Sequence, residues 1–248
     1  MRLTSQLLLI ANCLIIFGST LVSASPLAVG VSKKEIKIST NFTGTNLQMF
    51  GSIDGEGEIV VVVRGYKRPE VIHQKHRIFG IWVNGNSVIF NSVPTYHFVA
   101  STQALNRITS EATLRRLKIG AERIKFSPAE NMDNDVLKSF RQGLITLRQK
   151  QGLFTKMPSK ITKNKANLFR ANIEFPSNVL TGNYIAETHL FRNGRQIAIQ
   201  KNKLVVQKVG IEAVIYNFAH QHAAIYGIVA VVIALFSGWF AAVIFRKV

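Results

Sequence analysis

The sequence predicts a mainly β fold with a helical insertion: one or two immunoglobulin-like β-sandwich modules, closed by a single C-terminal transmembrane helix. Three observations predict it. Alternating and aliphatic runs of strand length fill residues 35–100 and return from Asn167 onward. Between them, leucines and phenylalanines recur at helical spacing. At the end, the stretch Ala223–Phe245 carries no charge across 23 positions. At about 1.5 Å rise per residue, such a helix crosses a hydrocarbon core about 30 Å thick with a little tilt.

The elements follow in chain order. Met1-Arg2, the apolar stretch 7–22 and the small residues at Val22 and Ala24 form the pattern of a secretory signal peptide, residues 1–24, cut after Ala24. An uncleaved N-terminal anchor is the alternative. Cys13, the one cysteine, lies inside that segment, so a mature chain could form neither a disulfide nor a thiolate metal site.

Residues 25–101 read as an N-terminal β module. "EIKIS" alternates, and "NLQMFGSI" alternates through Leu47 and Met49. "EIVVVVRG" holds a continuous aliphatic run from Ile59 to Val63, the pattern of a central strand buried on both faces. Asn84-Gly85 stands between two apolar runs and predicts a hairpin turn there. A further strand, "TYHFVAS", is entered through Pro94.

Residues 102–155 form the helical insertion. Leu105, Ile108, Leu114 and Leu117 fall at helical spacing before Gly120, and a second helix places Leu137, Phe140, Leu144 and Leu147 on one face before Gly152. Residues 156–209 return to strands, with a second hairpin signal at Asn193-Gly194. Spacing alone leaves one sandwich or two open. Residues 210–222 read as a juxtamembrane helix with Ile211, Val214, Ile215 and Phe218 on one stripe.

The transmembrane helix spans 223–245, and 246–248 form a tail. Arg246 and Lys247 follow the span directly, which places the C-terminus in the cytoplasm and the bulk of the chain in the exported compartment. Within the span, Ala230, Ala234, Gly238 and Ala242 recur at every fourth position and make one ridge of small side chains. Such a ridge lets another membrane helix approach closely, so an integral membrane protein is an expected partner.

Charge narrows the partners further. Setting aside Arg2, Arg246 and Lys247 leaves 28 of the 31 basic residues against all 13 acidic ones, a net charge of about +15 on the exported part. Such a domain is drawn to anionic headgroups or other envelope polyanions. An exported location argues against nucleic acid.

No glycine-rich phosphate loop, nucleophile elbow or zinc-protease helix is present, so the reading is a non-enzymatic protein without a cofactor. His73 and His76 could offer two metal ligands, but no third is proposed nearby, and no metal site is expected. Asp54, Glu56 and Glu58 read as a solvated turn. The densest candidate site is 64–84, "RGYKRPEVIHQKHRIFGIWVN". There Arg64, Lys67, Arg68 and Arg77, with Trp82 and Asn84, could present forked donors to a carboxylate, phosphate or sulfur oxyanion or to a partner.

With these segments assembled, "FTGTNLQMFGSI", "EIVVVVRG", "RIFGIWVN", "LFRANIEFP", "FRNGRQI" and "YGIVAV…GWFAAVIFRK" resemble, in the same order, an α-proteobacterial transmembrane protein family with no assigned function. The resemblance implies a Gram-negative inner-membrane protein with a periplasmic domain, and a partner resembling a sulfite-exporter permease. It carries over no functional residues beyond the match at Arg64-Gly65 and at 80–84. The function expected is therefore an accessory or interaction subunit of an envelope or transport complex, with anion binding by the 64–84 segment as the alternative.

Overall fold

The computed structural model describes residues 25–130 and 132–245. The expected signal peptide and the basic tail residues Arg246 and Lys247 lie outside the described residues.

Two sheets pack face to face. The first has the order β1 (Leu27–Val31), β3 (Gly44–Ile53), β10 (Leu168–Pro176) and β9 (Thr162–Lys163), all antiparallel. The second has the order β2 (Glu35–Ile38), β12 (Arg195–Lys208), β11 (Gly182–Arg192), β4 (Glu58–Gly65), β7 (His97–Ser101) and β8 (Ser159–Lys160). Its outer pairs, β2 with β12 and β7 with β8, are parallel. Strands from before and after the helical insertion interleave in both sheets, so they build one sandwich around one core. Across that core, Thr188 Oγ1 on β11 donates to Met49 Sδ on β3 at 3.3 Å.

β4 is the central strand that its aliphatic run predicts, with every residue from Ile59 to Val63 fully buried. Ile59, Val61 and Val63 point into the sandwich core. Val60 and Val62 point the other way, into a second cluster with Ile108, Leu114 and Ile119. Each fully buried Val or Ile stabilises by about 1.5–3 kcal/mol, which is why the outer face of this sheet needs a helical cover.

That cover is α1 (Leu105–Ile108) and α2 (Glu111–Leu117). The helix-breaking step is Thr109-Ser110. Thr109 is extended and its hydroxyl donates to Gly194 O at 2.6 Å, while Ser110 Oγ accepts from the Thr113 N–H at 3.3 Å as the N-cap of α2.

The longer α3 (Asn134–Lys150) starts at an Asp133 cap and buries Phe140, Leu144, Ile145 and Arg148. Its face is rotated from the expected one, and Leu147 is exposed. Arg148 takes the inward place because Glu70 on a neighbouring strand pairs with it.

The Asn84-Gly85 expectation is corrected. β5 (Lys67–Ile78) and β6 (Ile81–Pro94) form a hairpin whose turn is Phe79-Gly80. Both turn residues have positive φ, 47° and 85°, as a two-residue hairpin turn of this hand requires. Asn84-Gly85 instead lies inside β6, beside a register shift between His73 and Lys75. The ring of His76 fills the space that a side chain at Gly85 would need. The second signal holds, since Asn193-Gly194 turns β11 into β12.

β5 and β6 prolong the pairing of β4 with β7 beyond the sheet. Arg64 pairs with His97, Gly65 N–H donates to Tyr96 O, Thr95 N–H donates to Tyr66 O, and Lys67 pairs with Pro94. The base of this ribbon is braced by an Asn91–Ser127 backbone bond, by Phe90 against Phe126 and by the Glu70–Arg148 pair. Every residue from His73 to Ser87 is exposed.

After β12, α4 (Ile211–Gln221) leads to α5 (Ala223–Phe245), with the helical path interrupted at His222. Among the described residues α5 is the one helix long and apolar enough to cross a membrane, and none of its residues is buried against the domain.

Candidate functional site

The six basic-segment candidates do not form one site. Arg64 and Lys67 lie at the sheet end, where they line a cavity of about 340 Å³. Arg68 Nε is bonded to Glu70 Oε1 at 2.6 Å. Arg77 and Trp82 are paired across the far end of the ribbon, ten residues along β5 from Lys67, or roughly 33 Å of strand. Asn84 sits between, opposite Lys75.

The cavity has a built floor. Arg64, the penultimate residue of β4, pairs with Glu187 on β11, while its Nη2 donates to the carbonyls of Leu117 and Lys118 at 2.7 and 3.1 Å. These are the free carbonyls at the end of α2, so the guanidinium caps that helix and ties it to two strands. Burial pushes the Glu187 carboxyl up, but Arg64 and Lys201, the latter at 3.0 Å, outweigh it and leave its pKa lowered.

Gly65 follows at a close approach. A side chain there would collide with Thr95 Oγ1 and press on the ring of Tyr184.

His97 forms the inner wall, fully buried, with neither ring nitrogen hydrogen-bonded. Burial first, and the Arg64 charge second, push its pKa down to about 3, so it is neutral at pH 7. His189, also buried, is lowered to about 4, by burial first and partly offset by Glu187, whose Oε2 lies 3.8 Å away.

The rim is cationic. Lys67, Lys118 and Lys125, all exposed, reach it from β5, the end of α2 and the following loop, above Tyr66, Pro94, Ile124 and Ile185. Lys118 has φ 54°, the left-handed conformation of a helix C-cap, where glycine is the ordinary residue. A lysine held there lines the cavity at a cost in backbone conformation.

Sequence spacing could not find this set, because Lys118, Lys125, His97 and Glu187 come from four segments that only the fold joins. Among the described residues, no group of three or more metal-ligating side chains comes together. His73 and His76 lie on an extended strand rather than a helical turn.

No curated protein matches the chain. Among solved structures, one similar chain comes from work described as "Structural basis of T cell specificity and activation by the bacterial superantigen toxic shock syndrome toxin-1". It has 4% identity and a TM-score of 0.26, and the likeness covers 74% of this chain and 99% of that one, too weak to carry an argument. A family model described as "Putative transmembrane protein (Alph_Pro_TM)" matches residues 26–247, and the chain belongs to that family: a membrane protein with a β-rich domain and one candidate C-terminal span.

Proposed function

We propose that this chain is a single-pass inner-membrane protein whose periplasmic β domain binds a small anion, as a non-enzymatic accessory of an envelope or transport complex. The observation that carries this reading is the convergence of Lys67, Lys118 and Lys125 on one cavity whose inner wall is a neutral, unbonded histidine. Arg64 and Glu187 neutralise each other as its scaffold. The three ammonium groups remain to receive a carboxylate, phosphate or sulfur oxyanion, and His97 can donate one N–H from within. The apolar lower wall favours an anion with a hydrocarbon part over a bare inorganic ion.

The test is calorimetry on the full-length protein in detergent, with sulfite, sulfate, phosphate and a short-chain fatty acid as probes. Lys118→Gly and Lys125→Ala should each weaken binding about tenfold, the worth of one charge-assisted hydrogen bond. Lys118→Gly is the sharper variant, since relief of the left-handed backbone predicts unchanged or higher stability. Binding that survives both substitutions would remove the reading.

A second reading, docking onto an integral membrane protein such as one resembling a sulfite-exporter permease, is favoured by a separate observation. Ala230, Ala234, Gly238 and Ala242 form one ridge along α5, with open space beside Gly238. Purification from gently solubilised membranes should recover a stoichiometric partner that Ala234→Leu with Gly238→Leu releases. Recovery of the chain alone would count against this role.

A further inference from the structure

We propose that the far end of the β5–β6 ribbon is a wedge that inserts into the bilayer holding the chain's own anchor, giving the domain a second membrane contact. This does not rest on the anion reading.

Three independent observations carry it. The first is the distribution of apolar side chains at the tip. Ile78 pairs with Ile81 on one face, Trp82 stands on the opposite face across from Arg77, and Phe79 caps the turn. Phe79 is 100% exposed, and Ile81 and Trp82 are 68% and 64% exposed. A strand that docks on a protein presents one apolar face or one free edge. Here both faces and the apex each present an apolar side chain, with Arg77 beside Trp82 on one face, the form that suits an apolar medium surrounding the tip.

Charge is the second. From Val71 to Pro94 the ribbon carries Lys75 and Arg77 and no acidic residue. From the turn back to Lys75 is three to four residues, or roughly 10–13 Å at about 3.3 Å each, close to the 5–10 Å depth at which interfacial segments sit. With Phe79, Ile78 and Ile81 among the acyl chains, Trp82 falls at the interface where indoles concentrate, and Lys75 falls among phosphates. Arg77 donates from Nε to Gly80 O at 3.3 Å, which folds it along the turn while its outer guanidinium nitrogens reach back toward headgroups.

The third is topology. β4 and β12 are both antiparallel to β11, so they run in the same direction and leave the sheet at the same end. From that end β12 leads through α4 into the membrane-spanning α5, and β4 leads into the ribbon. The arm has a contour length of roughly 40 Å over the 12 residues of β5, against roughly 16 Å for the 11 residues of α4. It is long enough to reach the surface that the anchor enters.

The chain's two tryptophans make the test direct. Trp239→Phe leaves Trp82 as the single reporter in the full-length protein. This variant is reconstituted into phosphatidylcholine vesicles and into vesicles containing phosphatidylglycerol, each with and without acyl-brominated lipid. The expected result is blue-shifted Trp82 emission, quenching by the brominated lipid, protection from aqueous iodide, and more of each with phosphatidylglycerol. Phe79→Asp with Ile81→Asp, both at exposed positions and so harmless to folding, should abolish lipid quenching and restore iodide access. Lys118→Gly should leave Trp82 unchanged, which keeps this outcome separate from the cavity. Trp82 open to iodide and untouched by brominated lipid would overturn the proposal. So would lipid quenching that survives the double aspartate variant. Protection that appears only in native membranes, and not in vesicles reconstituted with this protein alone, would overturn it in favour of a protein that grips the tip.

Discussion

Mild acid should destabilise this domain through two histidines, His97 and His189. Both are fully buried, and their folded pKa values are lowered to about 3 and about 4 from 6.5. The folded state therefore refuses protons that the unfolded chain accepts, and stability falls as pH drops below about 6.5. At pH 5 each unfolded histidine is 1.5 units below its own pKa, which at about 1.36 kcal/mol per unit costs about 2 kcal/mol, or about 4 kcal/mol for the pair. The effect is complete only near the folded values. Carboxylates do not confound this window. Glu187 and Glu111 have lowered pKa values, so their contribution is present above about 4.5 and is lost only as pH falls further. At about 2–4 °C per kcal/mol for a domain this size, the melting temperature should fall by about 8–16 °C between pH 7.5 and pH 5. Circular dichroism of the full-length protein in nonionic detergent reads this directly. The comparison is with His97→Gln plus His189→Gln, which has lost both titrations whatever its starting stability. A wild-type loss below about 1 kcal/mol, or an equal loss in the double variant, would refute the linkage.

Other outcomes follow from single contacts. Glu70→Ala leaves Arg148 buried at the base of the ribbon without its carboxylate and should cost about 3–5 kcal/mol in urea unfolding, whereas Glu70→Ala combined with Arg148→Met should recover much of it. Gly65→Ala pushes a methyl into Thr95 and Tyr184 and should cost about 1–3 kcal/mol, with part regained on pairing with Thr95→Gly. Arg64→Ala removes the cap of α2 and the partner of Glu187 together, so it should destabilise the domain, and faster amide exchange in 111–118 should report the freed helix.

Much of the architecture is legible in the chain because its signals are local. The run from Ile59 to Val63 needs no context to mark a two-sided strand, and the uncharged 223–245 stretch needs none to mark a span. The Asn84-Gly85 turn fails for a physical reason. The ribbon's exposed strands exert no burial constraint on register, so the turn is decided by backbone conformation alone, and Phe79-Gly80 supplies it five residues before Asn84-Gly85. The face of α3 rotates because Arg148 is buried by an ion pair, which hydrophobic periodicity cannot register. The long-range order of the strands was not legible at all, since β10 beside β3 and β11 beside β4 join segments more than a hundred residues apart.

The candidate site shows the same division. Along the sequence, 64–84 is one basic cluster, but a strand spreads its residues at about 3.3 Å each, so a continuous basic segment on a β ribbon is stretched out rather than gathered. The fold cuts it in two at the bracing pair Arg148–Glu70. On the near side, Arg64 and Lys67 join lysines from the helical cover to form a cavity. On the far side, Arg77 and Trp82 belong to an exposed tip. Because β5 and β6 continue β4 and β7 past the cavity to the tip, with register shifts between Arg68 and Glu70 and between His73 and Lys75, the cavity floor and the tip are parts of one irregular ladder. Glu70 sits on that ladder between them, so Glu70→Ala should loosen the ribbon beyond it while leaving the Arg64–Glu187 clasp in place. Faster amide exchange in 71–90, beyond the uniform acceleration that the loss of global stability imposes on 58–64, would show the two ends to be mechanically separable, whereas an equal loss of protection in both would show that the brace holds the sheet end as well.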